Sequence, residues 1–195
     1  MDIFLRLKHW QLFILLMIAP FFVQLVGMTV LIASHSSAMI FAAYMLIMFL
    51  LAGIFLDWLY VLGVNLNKKL PGMVKMNLTK FKWFFFTLVV YMVLIWVFMS
   101  VHFEYMLDSG ETNSVDLTGG FVVILPLHFF SMFCIFYCLY FVAKSLKAVE
   151  RQRPVTFSDY AGEFFLIWFF PLGVWIIQPK INRIFDETLP MEEKF

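Results

Sequence analysis

The stretch that decides the fold runs Glu163-Phe-Phe-Leu-Ile-Trp168-Phe-Phe-Pro171-Leu-Gly173-Val-Trp-Ile-Ile-Gln178-Pro179-Lys180-Ile-Asn-Arg183. Its apolar part, 164–177, amounts to about 21 Å of helix, while a span needs ~20 residues to cross a ~30 Å hydrocarbon core. Pro171 and Gly173 interrupt it, and Lys180 and Arg183 follow at once. Basic residues at the end of an apolar run favour the cytoplasmic side, so the far end is drawn back to the side from which it came. The segment 158–185 therefore reads as a Pro/Gly-broken helix pair, re-entrant or interfacial, with the C-terminus inside. The alternative is a fifth transmembrane helix with its basic pair on the outer surface. Ser158 reads as the N-cap, with Asp159 and Glu163 in the early turns, where the helix dipole favours acids.

Upstream of this stretch the chain is strongly apolar. Of its 195 residues, 63% are hydrophobic and 14% charged, whereas a soluble domain is roughly half apolar and about a quarter charged. Four long apolar runs, at about 10–33, 38–64, 83–101 and 120–143, are apolar around their whole circumference. They lack the two-residue alternation of transmembrane strands. The expected fold is an all-α integral membrane protein: one membrane-embedded helical domain, 1–195, of four transmembrane helices plus the broken C-terminal pair. Pro20 should kink the first helix. That first run is also longer than a signal-peptide core. With a net charge of +1, no nucleic-acid partner is implied. Cys134 and Cys138, at helical i, i+4 spacing, read as buried thiols packing as small hydrophobes.

The connections carry the orientation. Residues 65–82 hold Lys68, Lys69, Lys75, Lys80 and Lys82 and no acid, and 144–163 hold Lys144, Lys147, Arg151 and Arg153. Residues 102–119 hold Glu104, Asp108, Glu111 and Asp116 and no base. Arg6 and Lys8 precede the first run. Basic connections stay in the cytosol, so the pattern predicts a multi-pass membrane protein with a cytoplasmic N-terminus. The five lysines of 65–82 are placed to meet anionic lipid headgroups, although fixing the orientation alone accounts for them.

Two segments, Gly63-Val-Asn-Leu-Asn-Lys-Lys-Leu-Pro71 continuing to Lys82, and Thr156-Phe-Ser-Asp-Tyr-Ala-Gly-Glu163 continuing through Trp168-Phe-Phe-Pro-Leu-Gly173 to Ile177-Gln-Pro179, resemble a family of uncharacterised bacterial polytopic membrane proteins. The resemblance covers about a third of the chain. It implies a bacterial inner-membrane setting and no chemistry.

The functional candidates are few. Asp57 is a carboxylate within a span, where it costs about 2.5–3.5 kcal/mol on insertion scales and should face protein or water. It reads as a cation or proton site, as the structural partner of a base such as Lys82 or Arg151, or simply as a residue close to the interface beside Trp58 and Tyr60. His35, His102 and His128, with Glu104, fall towards the outer face, but without metal-ligand spacing. They read as interfacial histidines rather than a metal site. Pro171 and Gly173 mark the broken segment, whose backbone at membrane depth must be covered by protein or by a watery cavity. Hydrolase, phosphate-loop and dinucleotide signatures are absent, and no cofactor is implied. The reading is a non-catalytic membrane protein binding a partner membrane protein or lipid, with a homo-oligomer also open. The alternative is a small transporter or channel subunit with Asp57 and 164–178 lining a pathway.

Overall fold

The computed structural model describes residues 3–34, 37–109 and 114–186, and their side chains except at 30–40, 42 and 102–121. The described residues contain helices and no strand. A short N-terminal helix α1 (Ile3–Arg6) leads into α2 (His9–Phe13), a π-helical turn (Ile14–Ile18) and α3 (Ala19–Ser34). Then come α4 (Ser37–Lys68), α5 (Leu78–Ser109), α6 (Ser114–Arg151), α7 (Phe157–Trp168) and α8 (Phe170–Phe185). Just before Pro20, where a kink is expected, the helix passes through the π turn. Proline offers no N–H to the carbonyl four residues back, and the hydrogen-bond ladder widens just before it.

Among the described residues, four helical segments are long and apolar enough to cross a membrane: His9–Thr29, Ala43–Lys68, Leu78–Val101 and Val122–Arg151. They match the four runs of the sequence with displaced ends. Helix α4 continues through Asn65 to Lys68, α5 starts at Leu78, and α6 runs on to Arg151. The basic connections are correspondingly shorter than their sequence bounds. Lys80 and Lys82 lie in the first turns of α5, and Lys144, Lys147 and Arg151 in the last turns of α6. Helical backbone bonding persists past the apolar window because these residues are good helix formers, and bases suit the C-terminal end of α6.

The fully buried side chains gather at one end of the bundle. Trp58, Leu59, Leu62 and Leu66 of α4 meet Phe81 of α5, Phe141 and Leu146 of α6, and Ile177 and Ile181 of α8. Phe81 stacks on Phe141 at 4.5 Å between ring centroids. Gly63 makes room for it: a methyl group there would collide with the Phe81 ring. Between helices in lipid such van der Waals contact, rather than solvent exclusion, drives association. Towards the other end the same helices expose large apolar side chains, such as Phe22 and Leu25 on α3, Val90 and Leu94 on α5, and Val122 and Phe129 on α6.

Helices α7 and α8 form a hairpin inside this tight end. The chain leaves α6 through Gln152, whose φ of 51° turns it back, and α7 then runs antiparallel along α6. Tyr160 lies against Tyr140, and Trp168 against Phe136 at 4.9 Å. The chain reverses at Phe169 (φ −87°, ψ 55°), and Phe170 touches Phe55 of α4 at 5.0 Å. Helix α8 then climbs back beside α4 until Lys69 donates to the Ile184 carbonyl at 3.1 Å. The buried positions repeat helically, Tyr160, Glu163 and Ile167 on α7 and Val174, Ile177, Ile181 and Ile184 on α8. Phe165, Trp168, Leu172, Trp175 and Ile176 face outward.

Candidate functional site

The hairpin is held by the densest polar constellation among the described residues. The Glu163 carboxylate, 7% exposed, accepts from Lys147 of α6 at 2.9 Å and from Lys180 of α8 at 2.8 Å. Glu150, one turn beyond Lys147, accepts from Lys147 at 2.8 Å and pairs with Lys180 at 3.4 Å. Two bases and two acids from three helices thus neutralise one another. Burial alone would push the Glu163 carboxyl up, but the hydrogen bonds from Lys180 and Lys147 outweigh it and hold it below the usual glutamate range.

One turn towards the α6–α7 connection, Asp159 closes the start of α7. Its carboxylate accepts the Thr156 N–H at 2.9 Å and the Thr156 hydroxyl at 3.0 Å. It also pairs with Arg151 and, at 3.8 Å, with Arg153. The Thr156 contacts, with the two arginines, hold it below the usual aspartate range. The N-cap is therefore Thr156, not Ser158. A Thr-x-x-Asp frame satisfies two groups reciprocally, which a lone serine inside the first turn does not do.

A second polar hub ties the N-terminus to α8. Gln178 is fully buried. Its amide donates to the carbonyls of Phe4 at 2.6 Å and Leu7 at 2.9 Å, and its oxygen accepts from the Trp58 indole at 3.2 Å. Asn182 adds a donation to Leu7 at 3.0 Å. The carbonyls left open by the break between α1 and α2 are satisfied from the other end of the chain. The four-residue cluster and this hub are not legible as sites in the sequence. Their one signal is spacing: Glu163 lies on the same helical face as Tyr160 and Ile167.

Of the residues singled out by sequence, Pro171 and Gly173 lie together at the start of α8. Pro171 occupies the first turn, where a missing N–H costs nothing. Gly173 lets α8 press on α7, since a Cβ there would overlap the Leu166 carbonyl. Asp57 lies apart from both. It is exposed on the flank of the bundle, about 16 Å of helix before Lys68. It borders a cavity of about 220 Å³ lined by Phe49, Gly53 and Leu56 of α4 and Phe85, Val89 and Met92 of α5. Neither Lys82 nor Arg151 pairs with it, Arg151 being engaged by Asp159.

His128 lies on the exposed surface of α6, where the Tyr91 hydroxyl of α5 meets its Nδ1 at 2.6 Å. His35, and the side chains of His102 and Glu104, lie outside the described residues. Cys134 and Cys138 are buried free thiols. Among the five lysines of the second connection, Lys68 donates to Asn65 at 3.1 Å and Lys69 to Ile184 while lying over the Phe185 ring. Lys75 and Lys80 point outward and Lys82 is half-exposed.

This arrangement holds helices together. The buried carboxylate faces two ammonium groups and the buried amides face backbone carbonyls, so Glu163, Gln178 and Asn65 are committed to internal partners. Compared with protein-family models, curated proteins and solved structures, the chain matches none.

Proposed function

We propose that this chain is a non-catalytic, multi-pass protein of the bacterial inner membrane that works by binding a partner membrane protein or lipid. The observation that carries this reading is where the polar groups go. Glu163, Gln178 and Asn65, buried at the tight end, are each matched to a structural partner, while the flanks of α3 to α6 present apolar side chains. A transport path needs a succession of polar groups left free for a moving substrate, and a catalytic centre needs several converging on a reacting one, whereas Asp57 is the single polar side chain of an otherwise apolar groove.

The orientation follows from charge. The N-terminal helix, the α4–α5 connection and the end of α8 meet at one end of the bundle, and that end carries the lysines and arginines. Bases mark the cytosolic side, so this end is cytosolic, with α1 and the end of α8 on the inner side. The α7–α8 hairpin then enters the membrane from the cytosol and returns as a re-entrant pair. Its outward aromatic face, Phe165, Trp168 and Trp175, suits lipid, and its inner face is covered by α4 and α6, which the exposed backbone at its tip requires. Lys75, Lys80 and Lys82 are left to anionic headgroups, each contributing on the order of 1 kcal/mol near the leaflet.

Reconstitution into phosphatidylglycerol-containing vesicles tests the reading. Proton and potassium flux should equal that of empty vesicles, and Asp57→Asn should leave it unchanged. A flux above the empty vesicles that Asp57→Asn abolishes would replace binding by transport.

A further inference from the structure

The groove between α4 and α5 pairs an acid with open space in a way that fits one kind of occupant. Asp57 projects from the outward face of a membrane-crossing helix, and no ion pair or hydrogen bond engages it among the described residues. One turn away on the same face, a Cβ on Gly53 would meet nothing within 4 Å. The cavity of about 220 Å³ runs from Phe49 past Gly53 to Asp57 and is otherwise lined by apolar side chains of α4 and α5. It follows α4 for about 12 Å, two turns of helix.

We propose that this groove receives a transmembrane helix of another membrane protein, and that this helix carries a lysine or arginine opposite Asp57. This deepens the binding reading above by naming the partner's chemistry, and it rests on that reading. Charge complementarity selects the occupant. An ionised carboxylate facing hydrocarbon is strongly disfavoured, and a base on a neighbouring helix removes the penalty. The missing side chain at Gly53 allows the close backbone approach on which helix pairs in membranes depend.

A second copy fits poorly, because a two-fold axis through the groove sets Asp57 against Asp57. The chain's own described bases do not help: Lys82, one turn from Phe85 on α5, makes no pair with Asp57, and Lys68 and Lys69 are used within the fold. A lipid fits no better. Headgroups stay at the interface, about 16 Å of helix away towards Lys68, and apolar tails leave the acid unpaired.

The test uses the full chain in phosphatidylcholine vesicles with labelled single-span leucine–alanine peptides that differ only at their central position. Energy transfer to the protein should report the lysine peptide binding about fivefold to tenfold tighter than the leucine peptide, the range expected for one polar contact between membrane helices. A glutamate peptide should not bind. Asp57→Asn should erase the lysine preference, and Gly53→Leu should weaken both peptides.

Equal binding of the lysine and leucine peptides, or a lysine preference that survives Asp57→Asn, would overturn the proposal. So would self-association of the protein that depends on Asp57. Proton flux recorded in the same vesicles separates the two readings. No flux and no lysine preference removes only this docking surface, whereas Asp57-dependent flux removes the binding reading itself.

Discussion

Glu163 on α7 and Lys180 on α8 meet at 2.8 Å across the helical hairpin, and the same carboxylate holds Lys147 of α6 at 2.9 Å. One acid therefore fastens three helices. Glu163→Gln keeps the shape but leaves two ammonium groups against a neutral amide. Removing one partner of a fully buried pair costs about 3–5 kcal/mol. Glu150 remains to share the charge here, so the expected loss is roughly 1–3 kcal/mol. Unfolding of the purified protein in dodecylmaltoside micelles reads it, and Lys180→Met should cost a similar amount.

The same carboxylate gives an acid dependence with a definite sign. Its folded pKa is lowered relative to an ordinary glutamate by Lys180 and Lys147, which override burial. A group whose pKa falls on folding contributes stability that is complete above its unfolded value and is lost as pH drops through the folded value. The transition temperature should thus be flat from neutral pH to about pH 5, then decline below the ordinary glutamate value of about 4.3. Asp159, lowered by Thr156 and the two arginines, adds to the same decline. In Glu163→Gln the slope should shrink without vanishing. An unchanged slope would mean that the cluster does not hold the hairpin.

Gly173 and Gly162 make opposite predictions. At Gly173 an added methyl overlaps the Leu166 carbonyl, which is backbone and cannot rotate aside. Gly173→Ala must part α7 from α8, and a loss above about 2 kcal/mol is expected from overpacking of this kind. At Gly162, on the exposed face of α7, an added methyl would meet nothing within 4 Å. Gly162→Ala should stabilise by up to about 1 kcal/mol through helix propensity alone. Comparing the two transition temperatures checks both.

How much of this is readable from the chain alone differs by element. The four spans are legible because the runs at 10–33, 38–64, 83–101 and 120–143 are long and uninterrupted, and hydropathy needs no partner to be read. Their ends are not, since Lys80 and Arg151 look like loop residues until the helix carries them outward. The cap is ambiguous because Ser158 and Thr156 are both good caps, and only the reach of Asp159 back to Thr156 decides between them. Pro171 and Gly173 are visible as a break, but that Gly173 serves contact with Leu166 depends on a neighbour seven positions away. Gln178 is invisible: its partners Phe4 and Leu7 are backbone carbonyls at the far end of the chain, and no side-chain pattern marks them.

Gln178 therefore gives a sharp test of the clasp on the N-terminus. Gln178→Leu preserves volume but leaves the Trp58 indole and two backbone carbonyls without their partner. Unsatisfied buried groups cost roughly 1–3 kcal/mol, and the effect should be local. Hydrogen exchange in residues 3–8 should accelerate, while the amides of α5 keep their protection. Asn182→Ala, which removes the lesser contact to Leu7, should show a smaller acceleration in the same residues.

The side of the membrane on which the hairpin ends can be read with thiols, because both native cysteines are buried and leave little background. Met73, exposed in the α4–α5 connection, and Arg183, exposed near the end of α8, lie at the basic end of the bundle. In right-side-out vesicles, Met73→Cys and Arg183→Cys should both resist a membrane-impermeant maleimide and react only after permeabilisation. On the re-entrant reading, Leu172→Cys, outward at the hairpin tip, should react poorly with that reagent even then and well with an apolar one, since that reading puts it at a depth water reaches badly. A fifth span predicts a different result: Arg183→Cys labelled from outside while Met73→Cys is not. That outcome would turn the returning hairpin into a crossing and move the basic pair of α8 to the outer surface.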